Sequence, residues 1–337
     1  MEESKPSLDK GTDAPLPKIK PKKKRKLNLV EIDIETPTVV DNNNNEHKTR
    51  EKLKEINDEI DLRVVKKRKL IDPEKFKQIL DEKRKKKVEE LLSIKSSECH
   101  FCFNNPKVAS HMLISIAENS YITLAKGPVS VPNQYIRFPG HVIITPIEHK
   151  PKLSDYSIES NITEQPVYKE LLAYEHSISD MYAKVEMGTV FFDFNMTTGV
   201  HYHIQCVPVP VQFISKVSKA IDRQYKFQNK KAGEEVISKF KKYVGEDDQE
   251  YKDFINDKTQ NFIQFKIMNT RKKCEIYVST FDPTKRIDMQ FGRSVMAYVL
   301  NQPKRVYWNN EVCQETEKQE KKNVELFQMS YNDFDIV

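Results

Sequence analysis

No run of about 18 consecutive apolar residues occurs anywhere in this 337-residue chain, so no transmembrane helix is expected. The N-terminus, Met1-Glu2-Glu3-Ser4-Lys5, has no apolar stretch behind it, which excludes a secretory signal as the reading of these residues. Cysteine is sparse: five residues, an odd number spread over a long chain, do not make a disulfide framework and fit an intracellular protein with reduced thiols. Aromatic residues are almost missing from residues 1–70, which are rich in Lys, Pro, Asp, Asn and Glu. Such a segment buries too little apolar surface to offset the entropy of ordering, so disorder is expected there. No internal repeat is visible.

What the chain does have is unevenly placed charge. Lys and Arg outnumber Asp and Glu 56 to 50 overall, and residues 1–98 hold 26 and 21 of them, which leaves a nearly neutral 30 to 29 for residues 99–337. Basicity therefore belongs to the tail. Within it, Pro17-Lys18-Ile19-Lys20-Pro21 leads into Lys22, Lys23, Lys24, Arg25 and Lys26, five consecutive cations after a proline. A cluster this short is read by nuclear import receptors or by nucleic-acid phosphates, and import is the expectation here. A second run is Lys66-Lys67-Arg68-Lys69. A third, Lys83-Arg84-Lys85-Lys86-Lys87, reads as the charged face of a helix, because Leu70 to Leu92 has helical spacing and Asp72-Pro73-Glu74 is a cap-like start. The expected organisation is a disordered basic tail over 1–95 with a helix at 72–92, a first folded domain over 96–215 and a smaller second one over 216–337.

The folded part begins near Ser97. Met112–Ile116 and Tyr121–Ala125 read as short strands joined by a turn at Glu118-Asn119-Ser120, and Gly140–Pro146 as a buried strand. Helical periodicity follows at about Thr163–Lys184, then strands at Gly188–Phe194 and His201–Val207 around the turn Asn195–Gly199. This predicts an α+β domain whose antiparallel sheet ends on the last of these strands. Further on, Lys216–Tyr225 and Gly233–Tyr243 look helical, Phe262–Met268 and Cys274–Thr280 form a hairpin bent at Asn269-Thr270-Arg271, and helices are expected at Met289–Leu300 and Glu315–Glu325.

The segment Gly199-Val200-His201-Tyr202-His203-Ile204-Gln205-Cys206-Val207-Pro208 stands out. As a strand it puts His201, His203 and Gln205 on one face and Val200, Tyr202, Ile204 and Cys206 on the other. Two imidazoles and an amide in a row are costly to desolvate unless they bind something. Cys99-His100-Phe101-Cys102 opens the folded region, and a Cys-x-x-Cys pair supplies half of a tetrahedral zinc site. His149 and His201 are candidates for the other two ligands, with His100, His111 and His141 competing. A redox role for this pair requires a thioredoxin-like βαβ setting, which is absent from the pattern. Cys206, Cys274 and Cys313 read as ordinary buried thiols, and Phe291, Val295, Tyr298, Val299 and Trp308 as core. Arg293, in Phe291-Gly292-Arg293, is open to two readings: a docking or phosphate contact, or a buried arginine satisfying backbone carbonyls.

Taken together, Cys-x-x-Cys, Gly-His-x-x-Ile-x-Pro-x-x-His and His-x-His-x-Gln resemble the histidine triad superfamily, in the branch with Gln at the third position. The finer resemblance is to the CwfJ family of splicing-associated proteins. It is carried by Cys99–Cys102, Leu124-Ala125-Lys126-Gly127, His141–His149, Gln205–Pro210, Gln290–Val295 and Pro303–Trp308, over about residues 97–337. Within the family the chain looks closest to the members associated with the lariat debranching enzyme. Those carry an N-terminal metallophosphoesterase-like domain, in whose place stand some 95 polar residues here.

The resemblance implies a structural zinc held by Cys99, Cys102, His149 and His201. It implies His203 as nucleophile on an α-phosphorus, Gln205 holding a phosphoryl oxygen or the imidazole, and a phosphate contact from the Asn195–Gly199 turn through Asn195, Thr198 and Gly199. It further implies a nuclear factor acting on the post-splicing intron lariat. The implied partners are the lariat debranching enzyme, other spliceosome or intron lariat complex components, and branched or single-stranded intron RNA; no membrane is implied. Gln205 cannot protonate a leaving group as a third histidine could. Two readings follow: an RNA- or phosphate-binding splicing accessory factor, and an active ribonuclease or nucleotidyl hydrolase/transferase working through His203.

Overall fold

The structure is a computed structural model that describes residues 73–157, 161–269 and 273–337. The predicted import cluster Lys22–Lys26 and the basic run at 66–69 lie outside these residues. Helix α1 (Pro73–Leu92) starts with Pro at its first position, where the missing N–H costs nothing, and follows the predicted span. Lys83, Lys85 and Lys86 are exposed on it. Among the described residues, no helix is long and apolar enough to cross a membrane.

Eight strands form one antiparallel sheet: β1 (Leu113–Ile116), β2 (Ser120–Leu124), β3 (Val142–Pro146), β4 (Met187–Asn195), β5 (Ile204–Pro210), β6 (Lys241–Val244), β7 (Phe262–Met268) and β8 (Cys274–Thr280), in the order β1-β2-β3-β5-β4-β7-β8-β6. The α+β expectation holds. The sheet does not end on the histidine strand, however. β5 lies inside it, between β3 and β4, and β4 continues the sheet by pairing with β7 from Thr189↔Met268 to Asn195↔Phe262. The reason is legible in β4 itself: Met187-Gly188-Thr189-Val190-Phe191-Phe192 is apolar on both faces, as a strand with two neighbours and two covered faces must be.

Helices α2 (Pro166–Ala183), α3 (Val211–Ala232), α4 (Gln249–Asn256), α5 (Phe291–Val299) and α6 (Glu317–Tyr331) complete the fold. One apolar core contains Phe191, Ile204 and Cys206 of the sheet with Tyr174, Ile178 and Tyr182 of α2 and Phe327 of α6. The other contains Val190, Phe192, Val207 and Phe265 with Val217 and Ile221 of α3 and Phe291 and Val295 of α5. By strand parity, Gln205 faces this second core side.

Three elements differ from the sequence expectation. Residues 233–243 are not helical: Gly233 ends α3 at φ 76°, and the Asn229 side chain then holds the backbone of Val236 and Ile237 in a non-helical path that leads into β6. Helix α4 was not foreseen. The histidine strand begins at Ile204 and not at His201, because the chain before it turns to bond elsewhere: Gly199 N–H donates to Met196 O and Tyr202 N–H to Lys150 O.

Candidate functional site

The knuckle Cys99–Cys102 is shaped by its own backbone. Cys102 N–H donates to Cys99 O, and the Asn105 side chain donates to that carbonyl at 2.9 Å. This turns both sulfurs toward the segment preceding β5. Cys99 Sγ lies 3.5 Å from His201 Nδ1, and Cys102 Sγ lies 3.4 Å from the same atom and 3.1 Å from His149 Nδ1. One ligand atom from each of Cys99, Cys102, His149 and His201 falls within 4.8 Å of all the others. A tetrahedral zinc, with Zn–S of about 2.3 Å and Zn–N of about 2.0–2.1 Å, places its S and N ligands about 3.5 Å apart, so this donor set fits the ion. His201 Nε2–H donates to Pro146 O at 2.9 Å, which fixes the tautomer and leaves Nδ1 free to ligate.

The electrostatics agree. Burial, reinforced by the neighbouring Cys99, pushes the Cys102 thiol up to about 12, and burial lowers His201 to about 4. His100, His111 and His141 stand outside the cluster: His100 is exposed, His111 bonds Glu320 at 2.7 Å, and His141 is fully buried elsewhere.

His203 follows directly. Its Nδ1–H donates to the carbonyl of His201 at 3.0 Å, so the lone pair is on Nε2. Burial lowers its pKa against that bond, which keeps the ring neutral near pH 7. Phe101, the residue inside the Cys-x-x-Cys spacer, stacks on the His203 ring at 4.7 Å and meets His201 edge-on at 5.9 Å. Sequence reasoning passed over Phe101, although its place between two metal-type cysteines was the available signal.

Behind Gln205 and His203 sits His141. Its Nδ1 accepts the Val129 N–H at 3.2 Å and faces Arg293 Nη1 at 3.5 Å, so Nε2 carries the proton. Burial, then the Arg293 charge, hold His141 well below the usual histidine range, against an opposing side-chain hydrogen bond with Gln205. Arg293 takes the second of its two sequence readings. It is buried, and its guanidinium donates to the carbonyls of Val306, Gly127 and Arg305 at 2.6–2.8 Å. Gly127 is required there: its φ is 58° and a Cβ would lie 2.2 Å from the Trp308 carbonyl oxygen. Phe291, Val295 and Val299 are core as expected, whereas Tyr298 and Trp308 are 55% and 49% exposed, because they lie on the solvent side of α5 and of the loop after it. Cys206 and Cys313 are buried and Cys274 is half-buried.

The turn before the histidines is largely committed to the fold. Asn195 is buried, its Oδ1 accepting from Leu153 N–H and its Nδ2 donating to Asp193. Thr197 N–H donates to Asn261, and Gly199 N–H is spent on Met196 O. Thr198 and Gly199 remain partly exposed at its tip.

Two sequence families match the chain: "Protein similar to CwfJ C-terminal" over residues 83–223 and "Protein similar to CwfJ C-terminus 2" over residues 235–337. The chain is 40% identical over 262 residues to the CWF19-like protein DRN1 of Saccharomyces cerevisiae, covering 77% of this chain and 50% of that protein. It is 28% identical to the CWF19-like protein mug161 of Schizosaccharomyces pombe over 70% of this chain and 38% of the relative. It is 27% identical to the zinc finger CCCH domain-containing protein 64 of Arabidopsis thaliana over 72% of this chain and 36% of that one. The chain thus spans half or less of the length of these relatives. Two consecutive family matches, in order, over the sheet that carries the cysteine–histidine cluster place the chain in the CwfJ/CWF19-like family.

Proposed function

We propose that this chain is a nuclear, splicing-associated factor that acts on the intron lariat complex after splicing. It binds RNA phosphate at the His203–Gln205 site and so promotes lariat debranching and intron turnover by the partner debranching enzyme. The observation that carries this reading is the convergence of His203, Gln205 and the fully buried His141 in front of the Arg293 cation, with the Gln205 side chain against the His141 ring. That buried cation favours the negative charge of a phosphate. Zinc, when bound, supplies a structural tie between the knuckle and the segment leading into β5. Cys99, Cys102, His149 and His201 would hold it, and with it the backbone that orients His203 and the Phe101 ring that covers it.

A second reading, an active ribonuclease or nucleotidyl hydrolase/transferase, is favoured by the tautomer of His203. A neutral Nε2 lone pair can attack phosphorus, forming a P–N bond as the P–O bond to the leaving group breaks, and water then resolves the adduct. Gln205 supplies no proton to that leaving group.

Intron lariat abundance in cells carrying wild type, a full deletion or His203→Ala tests both. Accumulation in the deletion, with His203→Ala retaining much of the wild-type function and no nucleotidyl adduct forming on wild-type His203, is expected for a binding factor in which the histidine is one contact among several. Accumulation with folded His203→Ala, together with an acid-labile nucleotidyl adduct on wild-type His203, decides for the enzyme. Unchanged lariats in the deletion refute the lariat assignment.

A further inference from the structure

Helix α3 holds six of the body's cations, Lys216, Lys219, Arg223, Lys226, Lys230 and Lys231, against one acid, Asp222. This is a strong excess for a part of the chain that is otherwise nearly neutral. Five of them fall at positions 216, 219, 223, 226 and 230. That 3-4-3-4 spacing keeps them within about 80° of one another around a helix of 3.6 residues per turn, along roughly 21 Å of axis. All five are exposed. Of these five, only Lys226 makes an ion pair among the described residues, with Asp222, and that pair is itself exposed. The opposite face of the helix, with Val217, Ala220 and Ile221, is buried in the core against the sheet and α5. Apart from that exposed pair, no carboxylate among the described residues neutralises the stripe, and the helix has no free apolar face with which to enter a lipid surface.

Aromatic rings flank the stripe. The guanidinium of Arg223 lies 4.2 Å above the Tyr298 ring, and Lys216 Nζ lies 4.1 Å from that of Phe213. Tyr298 and Phe227 are 55% and 56% exposed. An arginine already laid flat on a tyrosine keeps its N–H edge free for phosphate and loses little freedom on binding. A line of cations with exposed rings at its margin is how a single strand is held: the charges follow the backbone and the bases stack on the rings.

We infer that the outer face of α3 is a track for single-stranded RNA, separate from the His203 site and on the same side of the sheet. Lys216, Lys219, Arg223 and Lys230 contact successive phosphates, and Tyr298 positions Arg223. The choice of RNA as the polyanion rests on the proposed function.

The test is fluorescence anisotropy of a labelled 15-nucleotide oligouridylate with the full chain, over a range of KCl concentrations. Lys22, Lys23, Lys24 and Arg25 are replaced by Gln throughout, so that the tail does not mask the helix. Adding Lys216→Gln, Lys219→Gln, Arg223→Gln and Lys230→Gln should weaken binding tenfold or more at 100 mM salt. It should also flatten the slope of log K against log salt by roughly 3, at about 0.7 for each single-strand phosphate that is no longer neutralised. Tyr298→Ala should weaken binding several-fold with less change in slope, and Tyr298→Phe should restore it. The four α3 side chains and Tyr298 are exposed, and an unchanged melting curve checks that the fold is kept. Affinity and slope within twofold of the parent overturn the inference, as does retained RNA binding accompanied by lost binding of an acidic peptide. A weakened, flattened response in a protein whose deletion leaves lariats unchanged upholds the track and refutes the lariat reading instead.

Discussion

Replacing Lys266 by Met probes what joins the two family-matched segments. Lys266, on β7, is buried with its Nζ 2.6 Å from Glu175 of α2 and 3.2 Å from Glu246, in the loop after β6. Glu246 has a second partner in His176 at 2.8 Å, and Lys266 helps hold its carboxyl down at about 2. Among the described residues Glu175 has no other cation within ion-pair distance, and its Oε1 is already without a hydrogen bond. Burial already raises the Glu175 pKa against the pull of Lys266. With Met in place, Glu175 becomes an uncompensated buried carboxylate, for which the expected loss is about 3–5 kcal/mol near pH 8. The pH dependence has a definite sign. A carboxyl whose folded pKa is raised stabilises the fold below its unfolded value, about 4.3, and that contribution is lost as pH rises toward the folded pKa. Urea unfolding at pH 5 and pH 8 should therefore show a smaller deficit at pH 5, where Glu175 takes up a proton. Adding Glu175→Gln to Lys266→Met should recover much of the loss at pH 8. A deficit below about 1 kcal/mol at both pH values would refute the reasoning, since it would mean that the pair is solvated or replaceable.

Purified protein should carry close to one equivalent of zinc by elemental analysis. His201→Ala or Cys102→Ser should lose it and unfold at lower temperature, whereas His100→Ala should keep it; retention in both ligand variants would remove the cluster as the metal site. Gly292→Val tests the packing of α5 on the sheet: a Cβ there would lie 2.0 Å from the Phe192 ring, which is itself buried. Overpacking of this kind costs about 1–3 kcal/mol or more, so thermal melting should drop by several degrees, and an unchanged melting temperature would count against the packing described.

Local sequence fixed the hairpin of β7 and β8, whose predicted spans agree with the structure, because alternating apolar residues around a short polar bend admit one local solution. Spacing singled out the Cys99–Cys102 pair but left five histidines in competition; it was the resemblance that implied His149 and His201, and the structure brings one ligand atom from each of these four residues together. The strand containing His203 was read three residues too early. Its register depends on where Tyr202 N–H and His201 Nε2 find carbonyls, at Lys150 and Pro146, and both acceptors are more than fifty residues away in the chain. Helical periodicity over 233–243 likewise lost to long-range pairing with β8 and to the side chain of Asn229. The tertiary structure alone joined β4 to β7, brought Arg293 from the second half to His141 in the first, and turned Tyr298 and Trp308 outward. Each of these depends on which surfaces remain uncovered once the sheet has closed over distant residues. Local propensity and spacing act over a few residues, whereas burial is decided by the whole assembled chain.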